Sequence, residues 1–157
     1  MGIDPGSHVT GYGVAESVRS GLSWVAHGEI RPAAKASPLS SCLQDMYNGL
    51  DEVIRKFAPD ALAIENIFYG KNVKSLIRQG HVRGVVILAG RQGGIPVYEY
   101  SPLEIKKAVV GYGRAEKNQV QTMVRAILKL PELPPPDAAD ALAVAICHVH
   151  FRKTDSI

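Results

Sequence analysis

Apolar and polar residues alternate through the first thirty positions, which are rich in β-formers. Three short strands fit there, over residues 1–3, 10–16 and 22–30, with Ser20-Gly21 a hairpin signal between the second and third. Past a loop at 32–38 the period changes. Leu39, Leu43, Met46, Leu50, Val53, Ile54 and Phe57 recur at threes and fours, the pattern of an amphipathic helix on a core. Ala58-Pro59-Asp60 stops it, and the short apolar run 61–65 reads as a buried strand ending at Glu65. Residues 73–92 suit a second long helix, interrupted by Gly80, Gly84 and Gly90, and 95–100 a further strand. A short helix at 101–109, a turn at Gly111-Tyr112-Gly113 and a helix at 116–130 follow. In that helix Val120, Met123, Val124, Ile127 and Leu128 are expected inward. The break at 131–136 leads into a last helix at 137–150.

This order predicts an α/β fold. Three strands joined antiparallel are followed by strands reached through helical crossovers, which makes a mixed sheet with helices on both faces. Residues 1–150 form one domain and 151–157 a frayed tail, without internal repeat or low-complexity tract.

Four acids interrupt the apolar pattern: Asp4 in GIDPGSHVTGYGV, Glu65 in ALAIENIF, and Asp137 and Asp140 in PPPDAADALAVAI. An isolated carboxylate is costly to bury and usually has a partner or a cation. Three of the acids also have a plainer reading. Asp4 suits a turn, Glu65 a turn-facing strand end, and Asp137 a helix N-cap after three prolines. Asp140 fits no such role, and it shares a helix face with Asp137. Converging, the four would suit a hard divalent cation such as magnesium. Two such ions about 3.5–4 Å apart can drive phosphodiester hydrolysis.

Charge adds a direction to this chemistry. The net charge of +3 conceals a basic middle, where residues 71–129 carry eleven lysines and arginines against three acids. A basic surface beside an acidic pocket suits a polyanion held by its phosphates and cut at metals. Composition is that of a globular protein, 46% hydrophobic and 21% charged. No apolar run reaches the ~20 residues of a membrane span. The opening MGIDPGSH lacks the basic and apolar regions of a signal peptide, so the expected location is the cytoplasm. Cys42 and Cys147 lack metal-ligand spacing and are expected reduced, and the five histidines are scattered.

GIDPGSHVTGYGV, AIENIF, AEKNQVQ and DAADALA together resemble the Holliday-junction resolvase RuvC family, over residues 1–150 with compatible spacing. The resemblance implies a ribonuclease H-like fold and a magnesium-dependent homodimer, with manganese an alternative and two ions per site. The implied activity is symmetric cutting of opposing strands of a four-way DNA junction. It assigns the catalytic, metal-holding acids to Asp4, Glu65, Asp137 and Asp140, the third being His in some members. Phe68 matches an aromatic that stacks on an unpaired base, with Tyr69 a second candidate. Lys106 and Lys117 match basic residues of DNA handling and cleavage, and Lys71, Lys74 and Arg78 are further DNA contacts. The implied partners are a junction-binding protein and a ring motor. Three other readings are an actin-like ATP-binding domain, a noncatalytic junction binder and a nuclease for RNA–DNA hybrids.

Overall fold

The structure is a computed structural model that describes residues 1–19, 21–33, 38–66, 72–151 and 157. Its strands are β1 (Gly2–Asp4), β2 (Thr10–Val18), β3 (Gly21–Ile30), β4 (Leu62–Glu65) and β5 (Val97–Tyr100). Its helices are α1 (Leu39–Phe57), α2 (Val73–Gln92), α3 (Pro102–Val110), α4 (Lys117–Leu128) and α5 (Pro136–Phe151). The sheet runs β3-β2-β1-β4-β5, with β1, β2 and β3 antiparallel neighbours and β4 and β5 parallel additions beside β1. This is the mixed sheet expected from the order of strand and helix patterns.

Two cores line the two faces of the sheet. On one face Met46, Leu50 and Ile54 of α1 and Val86 and Ala89 of α2 pack on Ile3, Leu62, Ile64 and Val97. Ile3 and Ile64 alternate along their strands with Asp4 and Glu65, so the acids face the other way. On that second face lies α5, flanked by α3 and α4. Every residue from Ala141 to Cys147 is buried, as are Ala138 and Ala139. A helix apolar all round belongs inside a protein, and here it lies between the sheet and two further helices.

Small residues let α5 lie that close. A Cβ on Gly2 would stand 2.1 Å from the carbonyl oxygen of Ala141, and one on Gly11 2.0 Å from that of Asp137. Neither contact is possible, so a side chain at either position would push the helix off the sheet. Gly2, Gly11 and Gly13 of GIDPGSHVTGYGV thus meet a helix that begins more than 120 residues later.

Several details depart from the sequence reading. Asp137 is not an N-cap: α5 opens at Pro136, so Asp137 lies within its first turn, and the amide of Ala139 donates to the carbonyl of Pro135. Met123 points outward, because α5 covers only the α4 face carrying Val120, Val124 and Leu128. The glycine-interrupted α2 is no departure: Ile77 and Leu88 are exposed, and Gly80 and Gly84 face open space.

Candidate active site

Three elements bring the four acids to one end of the sheet. Asp4 closes β1 and Glu65 closes β4, each one residue past the paired Ile3 and Ile64. Parallel register therefore puts them side by side, about 5 Å apart across the strands. Asp137 and Asp140 come from α5, whose first turn sits against Gly11, the pairing partner of Asp4. Asp140 is half-buried on a helix where its neighbours Ala139 and Ala141 are buried.

The electrostatics show the convergence. Asp4 is pushed up to about 7 by its burial and then by the charges of Asp140, Glu65 and Asp137, against which Lys117 pulls. Burial and Asp140 raise Glu65 above the usual carboxylate range, with Lys106 and Lys117 opposing. Like charges held together away from water account for both shifts. As placed, no group of three or more histidine, cysteine or acidic side chains among the described residues closes tightly enough to hold an ion. The acids stand as neighbours that repel.

Two lysines offset this charge. Lys117, the first residue of α4, places Nζ 2.7 Å from Oδ2 of Asp140. The pair raises the lysine above its ordinary value, chiefly through that hydrogen bond. Lys106 reaches in from α3. Both lysines, with Glu65 and Asp140, line a cavity of about 240 Å³ whose walls include Pro102, Ile105, Val120 and Ala143. A polar rim on an apolar floor orients a ligand while excluding water. Lys74 and Arg78 lie exposed on the first two turns of α2, away from any ion pair among those described. Phe68, Tyr69 and Lys71 lie outside the described residues.

Sequence reasoning missed the brace that holds the start of α5. Gln121 of α4 donates from Nε2 to the carbonyl of Pro134 at 2.7 Å, and Arg125 donates to the carbonyls of Leu130 and Pro131. The only signal for it was two polar residues on the helix preceding a proline-rich connection.

The family model for the crossover junction endodeoxyribonuclease RuvC matches residues 1–148. This chain belongs to the RuvC family. A family protein of Syntrophotalea carbinolica is 51% identical over 150 residues, 96% of this chain and 92% of the relative. One from Ruminiclostridium cellulolyticum is 52% identical over 158 residues, covering 100% of this chain and 95% of the relative. Among solved structures, the Thermus thermophilus RuvC superposes with a TM-score of 0.87 at 33% identity over 96% of this chain and 93% of that one. The same protein in complex with a Holliday junction substrate superposes at 0.89, also at 33% identity, over 96% of this chain and 92% of that one. The ribonuclease H-like fold expected from the motifs is therefore the observed one.

Proposed function

We propose that this chain is a structure-selective endodeoxyribonuclease that resolves four-way DNA junctions by paired symmetric nicks, in recombination and repair. The observation that carries this reading is the convergence of Asp4, Glu65, Asp137 and Asp140 at one end of the sheet, with two lysines in the same cleft. The relatives at about half identity are named for the same activity.

The donor set fits magnesium, with manganese an alternative. It consists of hard oxygens from three elements, and their mutual repulsion is relieved by a dication. Two bound ions would supply activation of a water and stabilisation of charge on the leaving 3′ oxygen. The protein's own part is to hold four carboxylates against their repulsion and to offer Lys106 and Lys117 to a phosphate. With water as nucleophile, no covalent bond to the protein is needed, and the ends are 5′-phosphate and 3′-hydroxyl.

Two like nicks on opposing arms call for two sites related by a twofold axis, hence a homodimer. Val73, Ile77 and Leu88 are 65%, 56% and 51% exposed, and with Gly80 and Gly84 they make a stripe along α2 for a second copy. Lys74 and Arg78 at the start of α2, together with Lys71, would meet DNA phosphates. Phe68 and Tyr69 would stack on bases near the junction centre. The reading carries with it a junction-binding protein and a ring motor as partners, and a cytoplasmic location. Among the described residues no helix is long and apolar enough to cross a membrane.

The test is cleavage of a synthetic four-way junction in magnesium, against Asp4→Asn and a linear duplex. Paired symmetric nicks lost in Asp4→Asn, with junction binding retained, are expected. Tight junction binding without nicks in either metal would leave a structural binder. No junction preference would reject the resolvase.

A further inference from the structure

Lys117 occupies an unfavourable place for a cation. It opens α4, where the helix dipole favours negative charge. Its side chain is 60% exposed, with water free to solvate it, yet it reaches to 2.7 Å from Asp140 Oδ2. Asp140 is the acid that most raises Glu65 and, among the charged neighbours, most raises Asp4. Lys117 therefore neutralises the acid on which the cluster's repulsion centres. It also engages an oxygen that would otherwise face a cation.

We propose that Lys117 is the resident counter-ion of the acid cluster and a direct competitor of the metal. In this scheme the metal binds Asp140 fully only when the ammonium lets go. A DNA phosphate in the cleft gives that ammonium a replacement partner. Junction and metal then favour each other's binding by the same factor, because coupling between two ligands is reciprocal. One exposed ion pair thus lowers metal affinity in the free enzyme several-fold, and substrate restores it. The inference rests on reading the four acids as metal-holding.

The test is titration of DNA-free protein with manganese, the free ion followed by electron paramagnetic resonance. Wild type, Lys117→Met and Lys106→Met are compared. Lys106→Met removes one positive charge from the same cavity at a residue with no described ion pair. Lys117→Met should bind manganese several-fold more tightly than wild type and cleave junctions poorly. Lys106→Met should show a clearly smaller gain. Adding a four-way junction should raise wild-type affinity and narrow its gap to Lys117→Met. Equal or weaker binding by Lys117→Met overturns the competition, as does an equal gain in both variants, which would be long-range charge alone. Either result leaves the resolvase reading intact if wild type still nicks junctions. Manganese binding by none of the forms, with junction cleavage persisting in chelator, overturns the metal reading and this inference together.

Discussion

Replacing Asp4 by Asn should make the metal-free protein more stable while destroying its activity. Asp4 is held at about 7 in the fold against an ordinary 3.8, mainly by burial and then by three neighbouring carboxylates. A displacement of about 3 pH units corresponds to about 4 kcal/mol, at about 1.4 kcal/mol per unit. The sign follows from proton counting. Between about pH 4 and 7 the folded protein holds a proton on Asp4 that the unfolded chain has lost, so stability falls as pH rises through that window. Above pH 7 the whole penalty is present, and below pH 4 it is absent. Asn keeps the shape, cannot ionise and offers amide hydrogens to the remaining carboxylates. About 4 kcal/mol is an upper limit, and at about 2–4 °C per kcal/mol the melting temperature should rise by on the order of 10 °C. The assay is thermal unfolding in chelator at pH 4, 6 and 8. The variants should converge at pH 4 and separate at pH 8. Asp4→Asn should keep a shallower slope, because Glu65 is shifted in the same direction. Saturating magnesium should stabilise wild type more than the variant. An Asp4→Asn protein no more stable than wild type at pH 8 in chelator, or a flat wild-type profile between pH 4 and 7, would refute the reasoning.

Two further outcomes follow from packing. Gly11→Ala places a methyl against the Asp137 carbonyl, where only 2.0 Å is available. Overpacking of this kind costs about 1–3 kcal/mol. Because the strain moves α5 relative to β1, junction cleavage should fall by at least tenfold while junction binding, by gel shift, is retained. Unchanged cleavage would show that α5 is not seated there. Ile77→Glu puts a charge in the exposed stripe of α2. Its sedimentation mass should halve and its paired incisions become single nicks, whereas a variant that still sediments as wild type would place the dimer contact elsewhere.

The acids were visible in the sequence because each stands in an apolar run that has no use for a charge. Strand and helix periods also sufficed for the sheet, since the first thirty residues alternate, 61–65 is a short apolar run and α1 repeats cleanly at threes and fours. Periodicity fails for α5. A run buried on all sides has no polar face, so it carries no sign of which surface it meets or that it lies at the centre of its layer. Outward residues such as Met123 were unreadable for a related reason. Their burial depends on where a neighbouring helix ends, which local pattern does not record.

The glycines make the same point at the site itself. In sequence, a strand, an acid and a Gly-rich hairpin in DPGSHVTGYG, Gly11 and Gly13 included, support an ATP-binding reading. In the fold their missing side chains are filled by the backbone of Asp137 and by Leu142. What reads as an opening for a ligand is the contact surface for α5. That contact seats the helix carrying Asp137 and Asp140 on β2, whose Gly11 pairs with Asp4, while Gly2 of β1 meets the same helix at Ala141. The brace from Gln121 and Arg125 holds the start of the helix from its other side. Four like charges stay together in this protein because two backbones can touch. The stability sacrificed at Asp4 is therefore borne by a rigid contact of the scaffold, with Lys106 and Lys117 offsetting part of the repulsion.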